Sequence, residues 1–94
     1  MIYLTNSEIV LLALASTRQP MTISEIHDII QHDFKIKMTY NSISNALRNN
    51  RNKKYIFSYV NEFLDQRIHG YKLSNKGKNR VYIINKWIEK DTSD

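Results

Sequence analysis

Asn41, Ser44, Asn45 and Arg48 are spaced to share one face of a helix turning about 100° per residue. All four side chains form hydrogen bonds, and none is acidic. An asparagine amide matches the major-groove edge of adenine, an arginine fork matches guanine, and a serine hydroxyl bonds to bases or phosphate. The face therefore offers the chemistry of base-edge reading, and its plain alternative is a solvated helix surface. Cations flank it, with Lys35 and Lys37 before the helix and Arg51, Lys53 and Lys54 after it. Such groups can neutralise phosphates, which positions a protein without reading sequence. Those that follow the helix can also support its C-terminal dipole.

The chain has 94 residues and a formal net charge of +5, with 41 % apolar and 24 % charged residues. This composition is that of a globular chain, and the length suits one domain, 1–94. The charge is unevenly placed: residues 35–80 hold eleven basic residues and two acids, while the flanking segments are net acidic. A concentrated basic segment is the electrostatic footprint of a polyanion partner, or simply a solubilising surface. There is no cysteine, which excludes a disulfide frame, a cysteine zinc site and a thiol nucleophile. His27 and His32 lie five apart and diverge by about 140° on a helix, so no metal site is expected. No cofactor is expected either: a glycine-rich phosphate loop, a carboxylate pair in a cleft and a Ser–His–Asp arrangement are all missing, which argues against an enzyme. The longest apolar run, Ile9–Ala15, is too short to span a membrane. The opening residues do not have the pattern of a signal peptide, and a cytoplasmic, nucleoid-associated protein is expected.

Several elements must position these residues. Thr5 and Glu8 form a capping box before Ile9–Ala15, a run apolar on every side and so central to a core or an oligomer. Pro20 closes that helix. Thr22 and Glu25 open a second, with Ile23, Ile26, Ile29 and Ile30 on one stripe up to His32 and His27 at the core edge. Residues 33–38 read as a turn anchored by Phe34 and Ile36, or a brief strand. Thr39 caps a third helix that buries Ile43, Ala46 and Leu47 with Tyr40 on the same side, and Asn49-Asn50 reads as its end. Residues 55–60 and 67–73 pair as antiparallel strands, with Asn61 to Gln66 as the tip. Met21 is placed to add a short edge strand. A last helix runs from about residue 75 to 90, where Val81, Ile83, Ile84, Trp87 and Ile88 cover an arc of about 160°.

The order is α-α-α-β-β-α, mainly helical with a small β-hairpin (α+β), which is the winged helix-turn-helix arrangement. That arrangement seats the third helix in the major groove. The chain resembles the small winged-helix transcriptional regulators of the PadR and MarR kinds. Pro20-Met21-Thr22-Ile23-Ser24-Glu25-Ile26 is similar to the entry to their second helix. Ile43-Ser44-Asn45-Ala46-Leu47-Arg48 resembles the "V-S-x-x-L-x" of their recognition helix. Tyr55-Ile56 stands where those proteins have "G-Y-I", and Tyr71-Lys72-Leu73-Ser74-Asn75-Lys76-Gly77 resembles their "Y-x-L-T-x-K-G". Two positions depart from the pattern: Asn50 replaces a leucine and Lys54 a glycine. An early end to the third helix is therefore expected. The hairpin tip is also not basic, which predicts weak DNA contact by the wing.

The resulting expectation is sequence-specific binding of double-stranded DNA by a homodimeric transcriptional repressor. Asn41, Ser44, Asn45 and Arg48 would face bases. Lys35, Lys37, Thr39, Tyr40, Ser42, Arg51, Lys53, Lys54, Arg67 and Lys72 would meet phosphates. Val81, Ile83, Ile84, Trp87 and Ile88 would form the dimer contact. Alternatives are a centromere-binding protein of a plasmid or virus partition system and a protein-interaction adaptor anchored by Phe63-Leu64 or Trp87. RNA binding through exposed aromatics is a further alternative.

Overall fold

The computed structural model describes residues 3–16, 20–63 and 66–92, with side chains left out at 61–63, 66–68 and 91–92. The elements are α1 (Asn6–Ala15), α2 (Ile23–His32), α3 (Tyr40–Asn52), β1 (Ile56–Phe63), β2 (Gln66–Leu73) and α4 (Asn75–Thr92). Both capping boxes form. The Glu8 N–H donates to Thr5 Oγ1 at 3.2 Å and Glu8 Oε1 accepts the Thr5 N–H at 2.9 Å. Thr22 and Glu25 repeat the exchange at 3.2 and 3.1 Å.

The uniformly apolar α1 lies at the centre, packed against α2, α3, α4 and β2. Its Val10, Leu11, Ala13 and Leu14 are buried, as are Ile26 and Ile30 of α2, Ile43, Ala46 and Leu47 of α3, and Val81 and Ile84 of α4. Each fully buried leucine or isoleucine contributes about 1.5–3 kcal/mol relative to exposure. Residues 33–38 form a turn rather than a strand. Lys35 adopts φ 60° there, and the Ile36 N–H donates to the Ile30 carbonyl at 3.0 Å. Phe34 and Ile36 anchor the turn against the core.

β1 and β2 pair antiparallel, from Ile56 opposite Leu73 to Phe63 opposite Gln66. The strands are longer than their residue types predict, so most of the expected tip is paired. Met21 does add the edge bridge, exchanging hydrogen bonds with Tyr71 at 3.0 and 2.8 Å. Leu64 lies outside the described residues, as does the side chain of Phe63. The docking knob expected there therefore has no structural account.

Three expectations are corrected. Asn49-Asn50 does not end α3, which runs on to Asn52. Asn50 is 1 % exposed and its Nδ2 donates to the Ser7 carbonyl at 3.0 Å, so the polar side chain is held inside rather than breaking the helix. The left-handed residue that closes this region is Lys54, at φ 64°. Tyr40 does not join the buried stripe: it is half exposed and stacks on His27 with ring centroids 4.4 Å apart. It occupies the first position of α3, beyond the reach of the core. Val81 and Ile84 face the protomer's own core, since that side of α4 lies against α1 and β2. They are therefore removed from the set available to a second copy.

Candidate nucleic-acid interface

Thr39 caps α3: its Oγ1 accepts the Ser42 N–H at 3.1 Å and donates to Ser42 Oγ at 3.0 Å. Ile43, Ala46, Leu47 and Asn50 fix the inward side of the helix. The opposite side then presents Asn41, Asn45 and Arg48 exposed, with Ser44 half-buried at its edge. Because α3 continues past Asn50, Asn52 joins this row as a further exposed residue, placed one turn beyond Arg48. From Asn41 to Asn52 the row extends about 16 Å along the helix at 1.5 Å per residue. No acid interrupts it. Sequence reading missed Asn52 because the helix was expected to end before it.

Ser44, Arg48 and Arg51 share a shallow depression with Tyr71 of β2, so the hairpin borders the row on one side. Lys35 and Lys37 are exposed beside the start of α3, and Lys37 lines a hollow with His27, Gln31 and Thr39. The Nδ1 of His27 is buried without a hydrogen-bond partner and stands 3.9 Å from Asp28 Oδ1.

The basic connector is not one cluster. Lys53 turns to the α1 side, into a hollow shared with Glu8, Asn49 and Arg80. Arg51 and Lys54 turn to the hairpin side, where they meet Lys72. Lys76 and Lys78 line the same groove, two cations given no binding role from the sequence. Lys72 and Tyr71, adjacent in β2, point to opposite faces of the hairpin. Lys72 is thus on the far side from the α3 row. The side chain of Arg67 lies outside the described part of the structure.

Ser74 ties these pieces together. Its N–H donates to the Tyr55 carbonyl at 2.9 Å, and its Oγ donates to the Lys54 carbonyl at 2.7 Å and accepts the Gly77 N–H at 3.0 Å. One buried hydroxyl therefore caps α4 and fixes the turn that carries Lys54. On the outer side of α4, Ile83 (42 % exposed) and Trp87 (39 %) remain at the surface, with Ile88 half-buried. The Arg80 guanidinium lies 4.9 Å from the Trp87 ring centre and 3.4 Å from Glu8 Oε2. Among the described residues no group of three or more His, Asp or Glu is placed to hold a metal, and no helix is long and apolar enough to cross a membrane.

The fold is similar to those of solved transcription regulators. A PadR-family regulator from hypervirulent Clostridium difficile aligns with a TM-score of 0.75 at 20 % identity, over 92 % of this chain and 93 % of that one. Bacillus subtilis PadR, solved in complex with operator DNA, aligns at 0.72 and 13 % identity over 87 % of this chain and 45 % of its own. A MepR variant from a multidrug-resistant S. aureus clinical isolate aligns at 0.71 and 23 % identity over 92 % of this chain. The chain spans 57 % of the length of that MepR. No protein-family model matches the sequence, and no curated protein matches it. These likenesses define the fold as the winged helix-turn-helix of PadR-like and MepR-like regulators, the kind that the sequence phrases resemble.

Proposed function

We propose that this protein is a sequence-specific, duplex-DNA-binding transcription regulator that acts as a homodimeric repressor. The observation that carries the reading is the acid-free outward row of α3, with Asn41, Asn45 and Arg48 exposed and Ser44 at its edge. In this fold the third helix is the one that enters the major groove. Asparagine and arginine on that row would read adenine and guanine edges, and Asn52 extends the row. Lys35, Lys37 and Arg51 would neutralise phosphates on either side, with Tyr40 and Ser42 at the helix start directing their hydroxyls to the backbone and Thr39 holding that start through its cap. Lys53 and Lys54 would add cations at the helix end. The likeness to a PadR solved with operator DNA supports the same docking.

Ile83, Trp87 and the accessible part of Ile88 would form the two-fold contact, which would set two α3 helices about one DNA turn apart. Repression then follows from occupancy of the operator; it needs no catalysis and no cofactor. The reading places the protein in the cytoplasm, with the nucleoid.

The test is fluorescence anisotropy with random duplexes of roughly 25 base pairs across a salt series, where a dimer should give a log–log slope of roughly −4 to −8. Selection from the random pool would then yield a preferred site. Millimolar affinity at low salt, unchanged by Arg48→Ala, would reject the reading.

A further inference from the structure

We propose that the open groove between the hairpin and the start of α4 binds an unpaired nucleic-acid strand, stacking its bases on Phe57 and Tyr59 and holding its phosphates with Lys54, Lys72, Lys76 and Lys78. The groove has a volume of about 860 Å³. Those four lysines and Arg51 line it, and among the described residues no acid does. Its floor includes two aromatic side chains that the core does not use, Phe57 at 54 % exposure and Tyr59 at 44 %.

Strand geometry explains the arrangement. Phe57 and Tyr59 are two residues apart, so both point to the same face of β1, about 6.6 Å from each other along the strand. Lys72 is the register partner of Phe57 and Gly70 that of Tyr59, so a cation flanks one ring and no side chain covers the other from the paired strand. Lys76 reaches in from the first turn of α4, with its Nζ 5.3 Å from the ring centre of Tyr55. The outer edge of β1 pairs with nothing among the described residues, which leaves backbone donors and acceptors beside the rings for base edges.

Alternating aromatic and cationic groups are what single strands require: bases stack on rings while phosphates track the charges. A duplex cannot use the rings, because its bases are already stacked on one another. The groove's stacking wall, Phe57, Tyr59 and Lys72, is on the opposite face of the hairpin from Tyr71, which borders the α3 row, and Arg51 lines both hollows. It is therefore a second site that shares Arg51 and Lys54 with the duplex reading above, and the rings, which that reading does not use, test it separately.

The experiment titrates the full chain into fluorescein-labelled oligothymidylate and oligouridylate of roughly 12 nucleotides, with a duplex in parallel. Phe57→Ala/Tyr59→Ala should weaken single-strand binding about tenfold or more, with duplex affinity unchanged. Arg48→Ala should do the reverse. Lys72→Gln and Lys76→Gln should each flatten the single-strand salt slope by about 0.7. Thermal unfolding checks each variant; if the alanine pair is unfolded, Phe57→Leu/Tyr59→Leu keeps the apolar bulk and removes the stacking plane. The proposal is overturned by no single-strand binding at low salt, or by single-strand binding indifferent to loss of the rings. It is equally overturned if Arg48→Ala abolishes both activities together. Displacement by oligoglutamate as effective as by oligothymidylate would show a charge-only surface suited to an acidic peptide, and would also overturn it.

Discussion

Gly77 faces the Tyr55 carbonyl so closely that a Cβ there would overlap its oxygen and come within 3.0 Å of its carbon. The Leu73 side chain closes the other side at 3.2 Å. The first turn of α4 cannot retreat, because Ser74 is bonded to both Tyr55 and Lys54. Gly77→Ala is therefore expected to destabilise the protein by about 3 kcal/mol or more, as a backbone clash in a packed site. Gly70→Ala is the control. Among the described residues its Cβ would meet only the Pro20 side chain, at 3.2 Å, and should cost about 1 kcal/mol. Urea unfolding of both variants measures the difference; equal losses would refute the clash.

Lys54 holds φ at 64° in the turn between α3 and β1. A left-handed residue with a Cβ costs about 1–2 kcal/mol, which glycine avoids, while glycine's greater unfolded-state freedom opposes part of the gain. Lys54→Gly should therefore raise stability by about 0.5–1 kcal/mol. The same substitution removes a cation from the groove and should weaken single-strand binding several-fold. Stability and affinity moving in opposite directions is the expected signature, read by urea unfolding and anisotropy on one preparation. A loss of stability would show that the Lys54 side chain contributes more to the fold than its backbone strain removes.

The parts of this protein legible in its sequence are those governed by local rules. Thr5 with Glu8 and Thr22 with Glu25 marked two helix starts, because capping is decided within four residues. The spacing of Ile43, Ala46 and Leu47 oriented α3, and with it the exposed row of Asn41, Asn45 and Arg48. What escaped depends on distant partners. Asn50 looks like a helix end until Ser7, on another helix, accepts its amide. The groove escaped for the same reason: Lys76 and Lys78 come beside Lys54 and Lys72 only when Ser74 bonds to the Lys54 carbonyl. The apolar arc of α4 was visible as a whole, but only packing divided it into the inward Val81 and Ile84 and the outward Ile83 and Trp87.

That division makes a prediction about assembly. Ile83 and Trp87 are 42 % and 39 % exposed, so Trp87→Glu and Ile83→Glu should each cost the folded protomer about 1–2 kcal/mol while disfavouring the dimer. Light scattering after size exclusion should show a shift toward the monomer at micromolar concentration. Ile84→Ala should behave differently, costing about 2–5 kcal/mol by opening a core cavity. A wild-type chain that is monomeric at high concentration, or a Trp87→Glu variant as dimeric as the parent, would remove the α4 contact from the proposal.

The α3 row can be tested residue by residue on the selected duplex. Arg48→Ala should lose about 1–3 kcal/mol of discrimination, that is roughly fivefold to 150-fold, with the unfolding transition unchanged because the side chain is exposed. Asn52→Ala tests the turn that sequence reading did not see. It should relax the preference at one outlying base pair if the extended helix follows the groove, and leave the selected site identical if the row ends at Arg48. The cations separate in the same assay. Arg51 borders the row, so Arg51→Ala should reduce the salt slope by about 1 for each protomer. Lys53 sits in the hollow with Glu8 and Arg80 on the α1 side, so Lys53→Ala should change the slope less. A larger effect at Lys53 than at Arg51 would mean that the duplex approaches α3 from the α1 side, not the hairpin side.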